Sequence, residues 1–231
     1  MSIKIKKRLV YLILGDPPSP LNAVADDLAN HLRLQSDETI AVIKDADHSY
    51  LDKATSSISF LLINGSTNPV DWLEDMQKAL FKNSFKLGRI IFLADMIRLS
   101  KNPQLKDWAR ACVHFSDVVL MNRIEGVTQN WLQEFKEPFE KDCYPCLFIS
   151  LKEEQMYNPA LVLEPLPLRI SQVFDEEYQK QPKFLKEINI SPNEWAKDFA
   201  DNDEYFDEAF VDPYFERLPN GIRVKKIHSL P

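Results

Sequence analysis

Leu9-Val10-Tyr11-Leu12-Ile13-Leu14-Gly15-Asp16-Pro17-Pro18-Ser19-Pro20-Leu21-Asn22 is the stretch that sets the architecture of this chain. Its opening run, Leu9 to Leu14, lacks the apolar/polar alternation of a strand with one wet face and describes instead a strand buried on both faces. The Gly-Asp-Pro-Pro-Ser-Pro turn ends that strand. Apolar positions then recur at helical spacing from about residue 20 to 34, so strand, tight turn and amphipathic helix follow one another as in a βαβ unit.

Outward from this unit the same alternation continues to Leu151. Strands are expected at 9–15, 39–44, 57–64, 89–95, 117–122 and 146–151, and helices near 20–34, 69–82, 103–114 and 127–140; the stretch 46–54 is too short to be read as a helix. Pro69 stands where a helix begins, because its missing N–H is unneeded in a first turn, and Val70, Leu73, Met76, Ala79 and Leu80 follow at helical spacing. The fold class expected is α/β, a doubly wound and mostly parallel sheet of about six strands.

At 231 residues the chain is long enough for one well-buried core, and it has no Gly/Ser linker. We expect a main domain over 1–155 and a C-terminal arm over 156–231. In the arm Pro159, Pro165 and Pro167 punctuate an extended apolar stretch, and an acidic, aromatic segment follows from about Asp175 to Arg217. Trp195, Phe199, Phe206 and Phe210 fall at spacings of 4, 7 and 4, one helical face opposite Asp201, Asp203, Glu204 and Asp207. Such a face packs on its own domain, on a protein partner, or on a second subunit as an exchanged arm.

With 28 Lys+Arg against 35 Asp+Glu the formal charge is −7, the wrong sign for the counterion-release term that dominates nucleic-acid affinity. No nucleic-acid partner is expected, despite the local cluster Lys4, Lys6, Lys7 and Arg8. No apolar run approaches the roughly 20 residues of a membrane helix, so neither a membrane span nor a signal peptide is expected. Three cysteines do not make a disulfide framework, which points to a reducing compartment, the cytoplasm.

The turn after the first strand occupies the place where a phosphate-binding P-loop reads G-x-x-x-x-G-K-[ST]. Such a loop converges backbone N–H groups on the phosphates, adds a lysine charge, and holds Mg²⁺ through a hydroxyl. Here Gly15 is kept, but Pro17, Pro18 and Pro20 have no N–H, Pro20 replaces the second glycine, and Leu21, followed by Asn22, stands at the lysine position. Asp16 adds a negative charge. Each lost charge-assisted hydrogen bond is worth on the order of 1.5–3 kcal/mol, so tight triphosphate binding through this loop is not expected.

The segments Leu62 to Pro69, Ile90 to Asp95 and Phe115 to Glu125 stand in the right places and order behind this turn, and together they resemble the CobW-type metallochaperone GTPase family. Leu62-Ile63-Asn64-Gly65-Ser66-Thr67-Asn68-Pro69 matches that family's Glu-Thr-Ser-Gly-x-x-x-Pro at Gly65 and Pro69, with Leu62 in place of the acidic residue. Ile90-Ile91-Phe92-Leu93-Ala94-Asp95 is similar to its strand ending in Val-Asp-Ala. Phe115-Ser116-Asp117-Val118-Val119-Leu120-Met121-Asn122-Arg123-Ile124-Glu125 is similar to its Asn-Lys-x-Asp segment. The resemblance covers about residues 9–151 and implies a P-loop GTPase fold, with GTP or GDP and magnesium as ligands and Asn122, Arg123 and Glu125 facing guanine. Glu125 is one methylene longer than the family's Asp, which displaces its carboxylate from a bidentate hydrogen-bond position. The family's metal-binding Cys-x-Cys-Cys is absent, and about 50 residues separate Gly15 from Gly65, too few for its usual switch region.

Other chemistry is sparse. Cys143-Tyr144-Pro145-Cys146 has redox or half-zinc spacing, but Cys146 begins a strand rather than a helix, and only Cys112 and His114 offer further ligands. His31, His48, His114 and His228 form no catalytic or metalloprotease pattern. Gly65, Ser66, Thr67 and Asp95 lie at strand ends, along the edge where doubly wound sheets place ligands, with helix capping as the competing role for Ser66, Thr67 and Asn68. We expect no catalytic residue, no bound metal and no required cofactor. The function expected is a catalytically inactive GTPase-like module for protein interaction or regulation; the alternative is a divergent nucleotide-binding protein or weak GTPase using Asn122 and Glu125 for guanine.

Overall fold

The computed structural model describes residues 8–16, 19–65, 68–83, 85–152, 156–175 and 212–227. The chain divides into two compact units, the first formed by residues 1–170 with 228–231 and the second by 171–227. Residues 156–170, read from the sequence as the start of the arm, thus fall with the sheet. The aromatic face Trp195, Phe199, Phe206 and Phe210 lies outside the described residues.

The first unit holds β1 (Leu9–Gly15), α1 (Leu21–Gln35), β2 (Ile40–Ile43), α2 (Tyr50–Lys53), β3 (Ile58–Asn64), α3 (Pro69–Lys82) and β4 (Lys86–Asp95). It continues with α4 (Met96–Lys101), α5 (Lys106–Phe115), β5 (Val118–Asn122), α6 (Gln129–Lys141), β6 (Leu147–Ser150) and α7 (Pro159–Leu163). The six strands lie in the order β2-β3-β1-β4-β5-β6, and every neighbouring pair is parallel. This is the doubly wound α/β sheet expected from the alternating pattern.

Burial follows strand position. Val10, Leu12 and Ile13 in β1, Ile90 to Ala94 in β4 and Val118 to Leu120 in β5 have no exposed surface, whereas the edge strands β2 and β6 are only half-buried. Alternate residues face opposite ways. Tyr11, Ile13, Phe60, Leu62, Ile91, Leu93, Val118 and Leu120 therefore share one face with α1 and α7. On the other face Phe92 meets Trp108 of α5 edge-on at 5.5 Å, and α3 packs beside α5.

Caps explain where the helices begin. Asn68 Oδ1 accepts from Val70 N at 2.9 Å with Pro69 as the first helical residue, and Thr128 Oγ1 accepts from Trp131 N at 3.2 Å. Three short helices were not anticipated, the first being α2, a single turn at Tyr50–Lys53 within the stretch 46–54 that is too short to show a period. Helix α4 follows β4 with no loop, because Asp95 is at once the last strand residue and the cap of Arg98 N at 3.0 Å, and six residues are too few to show a period. In α7 the proline read as a breaker is the first helical residue, and Asn158 Oδ1 accepts from Leu161 N at 3.3 Å.

The segment after α7 is held by buried polar groups on the sheet. Tyr11 donates its hydroxyl to Leu163 O at 2.6 Å, and Arg89 Nε donates to Glu164 O. Asp117 Oδ2 accepts from Ile90 N at 2.7 Å, while its Oδ1 accepts from Leu168 N at 2.6 Å and Arg169 Nη1 at 3.2 Å. Arg89 and Asp117 have no exposed surface, and burial pushes the Arg89 guanidinium below its ordinary value against the attraction of Asp117. Burying these charges costs several kcal/mol per ion unless each is paired and hydrogen-bonded, and Asp117 meets that condition with two backbone donors and one guanidinium.

In the second unit the described residues are 171–175 and 212–227. Ser171 Oγ donates to Asp212 Oδ2 at 2.5 Å, and Asp212 Oδ1 accepts from Tyr214 N at 2.9 Å. A short antiparallel turn joins Arg217 to Arg223, with Leu218 N bonded to Ile222 O at 2.7 Å and Gly221 at φ 80°, a left-handed conformation that favours glycine.

Candidate functional site

The carboxyl ends of β3, β1, β4 and β5 bring together the strand-end residues singled out from the sequence. In register Gly15 lies beside Asn64 and Leu93, and Asp95 lies beside Asn122. In a doubly wound sheet this edge is where ligands bind. Ser66 and Thr67 lie outside the described residues, as do Pro17 and Pro18.

At Gly15 a neighbouring side chain stands close against the backbone. A Cβ placed on Gly15 would stand 2.6 Å from Leu21 Cδ2, and Leu21 is itself buried with the core around α1. Leu21, the residue at the lysine position, thus folds over the glycine as a hydrophobic plug. Asn22 is exposed in the first turn of α1. The turn closes on itself, with Ser19 N bonded to Asp16 O at 2.9 Å and Leu21 N to Ser19 O at 2.8 Å, so the first N–H of the helix is already bonded. Gly65 N donates to Gly15 O at 2.7 Å, and a Cβ on Gly65 would meet Trp108 Cζ2 at 2.6 Å and Gly15 O at 2.7 Å. Only glycine fits between the two strand ends.

Two arginine–aspartate pairs span the edge. Asp16, 4% exposed, accepts from Ser19 Oγ and from Arg98 Nη1, the latter at 2.9 Å. Asp95, 7% exposed, accepts from Arg98 N at 3.0 Å and Arg123 Nε at 3.1 Å, and pairs with Arg123 Nη2 as well. This fork-to-fork contact raises the Arg123 guanidinium above its ordinary value, the Asp95 hydrogen bonds being the chief cause. Arg123 adopts φ 54°, a left-handed turn immediately after β5. Its N–H donates to Asn122 Oδ1 at 2.9 Å, while Glu125 stays exposed in the following turn.

These residues do not fit a triphosphate at Gly15. The position has a buried carboxylate where an anion would sit, an aliphatic plug where a cation is needed, and arginines already neutralised by their own aspartates. The guanine-edge trio implied by the resemblance is brought to the end of β5, but Arg123 turns toward Asp95 and Asn122 Oδ1 is bonded within the turn. Sequence reasoning missed Arg98 and Trp108. Nothing near Arg98 in sequence marks it as the partner of Asp16, and Trp108 reads as an ordinary helix-face aromatic.

Elsewhere two of the three thiols are buried. Burial pushes Cys146 up to about 12 and Cys112 well above its ordinary value, Cys143 is exposed, and His114 Nδ1 lies 3.2 Å from Tyr144 Oη. Among the described residues no group of three His, Cys, Asp or Glu side chains is placed to hold a metal ion, and no helix is long and apolar enough to cross a membrane.

No family model matches the chain, and no curated protein matches it. Among solved structures it is similar to the Zn(II)-bound YjiA GTPase from E. coli, at 13% identity over 69% of this chain and 61% of that one, with a TM-score of 0.45. A zinc-bound triple mutant of the same GTPase gives 13% identity, 70% and 62% coverage and a TM-score of 0.41. A de novo designed protein of P-loop NTPase fold gives 12% identity, 86% and 99% coverage and a TM-score of 0.22. The chain thus spans 61% of the length of YjiA.

Proposed function

We propose that this chain is a GTPase-like domain without catalytic activity that serves as a protein-interaction or regulatory module. The observation that carries the reading is the closed first turn: Leu21 packed on Gly15 and Asp16 bridged to Arg98 at 2.9 Å. A nucleotide would have to expel a buried leucine and break a partly buried ion pair, and would then meet prolines in place of N–H donors. The doubly wound sheet survives such losses because its stability comes from strand burial and not from the ligand edge.

A second reading, purine binding at the end of β5, is favoured by the exposed Glu125 carboxylate beside Asn122. Calorimetric titration of the protein with GTP, GDP and ATP plus Mg²⁺ separates the two. The module reading expects no binding tighter than about 1 mM, and a dissociation constant below about 1 μM for any of the three would overturn it.

A further inference from the structure

We propose that the groove between α5 and α6 docks the acidic aromatic segment, residues 195–210, of a second copy of this chain. The inference rests on the interaction-module reading and names the surface and partner that reading requires.

The groove has a volume of about 250 Å³ and is walled by Leu99, Pro103 and Ala109 on one side and by Trp131, Phe135 and Pro138 on the other. Trp131 stacks on Phe135 at 5.7 Å and 16°. Phe135 rests in turn on Phe139 at 5.8 Å and on Phe148 of β6 at 6.5 Å. The aromatic wall is therefore fixed from beneath while Trp131 and Phe135 remain half-exposed. Rigid, half-exposed aromatics beside a concavity are the anchors that binding surfaces use.

Charge identifies the occupant. Lys106 and Arg110 line the groove, both are exposed, and neither has an ion-pair partner among the described residues; Glu134 is the one acidic lining residue. A net positive rim on a chain of formal charge −7 selects a negatively charged, apolar-faced partner. The same chain carries that chemistry: Trp195, Phe199, Phe206 and Phe210 at helical spacing, flanked on the same helical wheel by Asp198, Asp203 and Asp207, the positions that would meet Lys106 and Arg110 at the rim. This segment lies outside the described residues, and its sequence supplies the match. Each copy offers one groove and one segment, so reciprocal exchange closes a two-fold dimer with nothing left over to polymerise.

Sedimentation equilibrium of the full chain tests this. The expected result is a mass of twice 26.8 kDa, with the dimer weakened as salt is raised. The double variant K106E/R110E, at exposed positions, should keep its circular dichroism and melting point yet dimerise roughly tenfold or more weakly. Mixing it with D198K/D203K/D207K, which makes residues 195–210 net positive and should also fail to pair with itself, should restore a heterodimer in which both interfaces join opposite charges. A wild-type protein that is monomeric at every concentration it tolerates overturns the proposal, and so does a dimer indifferent to these charge reversals. Nucleotide binding in the calorimeter would sink the module reading while leaving these masses unchanged, so the two failures are separable.

Discussion

Asp16→Asn tests the closed turn directly. The substitution keeps the side chain's shape and its contact with Ser19 Oγ but removes the charge that Arg98 Nη1 meets at 2.9 Å. The Asp16 carboxylate is 5% exposed and the Arg98 side chain 23%, so the pair is screened less than a surface salt bridge. A charge-assisted hydrogen bond in such a setting is worth roughly 1.5–3 kcal/mol. For a chain of this length each kcal/mol lowers the melting temperature by about 2–4 °C, giving an expected drop of about 3–12 °C. Thermal melts of wild type, Asp16→Asn, Arg98→Met and the double variant form a cycle whose coupling should exceed about 1 kcal/mol. If the two single effects add to within about 0.5 kcal/mol, Arg98 does not hold Asp16 and the account of the neutralised edge fails. Because Leu21 still covers Gly15, the variant should gain no affinity for tripolyphosphate, and a gain would show that the carboxylate alone excludes anions.

Asp117→Asn leaves a buried amide that must present N–H₂ to one of the donors Ile90 N, Leu168 N or Arg169 Nη1, so chemical denaturation should show a loss of about 3–5 kcal/mol and hydrogen exchange at Leu168 should quicken. Stability should fall in alkali: the Tyr11 phenol is pushed by burial from 10.0 to about 12, so the folded state keeps a proton that the unfolded chain releases, and roughly 2–3 kcal/mol present below pH 10 is lost as pH rises toward 12. Tyr11→Phe should flatten that part of the pH profile, and an unchanged slope would refute the assignment. Iodoacetamide at pH 8 should modify Cys143 alone in the folded protein, since Cys112 and Cys146 are buried with raised thiols; mass spectrometry showing rapid labelling of either would contradict their burial.

Much of the architecture could be read from short-range pattern. The apolar run of β1 coincides with the expected 9–15, and α3 begins at Pro69 and ends at Lys82 as its spacing and cap chemistry dictate. Those features are local: a strand buried on both faces needs consecutive apolar residues, and a helix start needs an acceptor and a residue that can do without its N–H. The three prolines after β1 and the absence there of a lysine and a second glycine were legible for the same reason, since a phosphate loop is a contiguous motif. Where local signals were weak the reading failed, as at α4 and α7, each shorter than two helical turns.

Tertiary structure alone decided who meets whom. Asp16 and Arg98 are 82 positions apart, Asp95 and Arg123 are 28, and Asp117 reaches Leu168 over 51. Those pairings depend on β4 lying beside β1 and β5 beside β4 in register, an outcome of strand order that no residue's own propensity carries. The sequence by itself therefore determined that the turn after β1 carries three prolines and a leucine and no lysine. Only the folded sheet determined what stands there instead, because a carboxylate and a guanidinium neutralise one another only when the backbone brings them within hydrogen-bond reach.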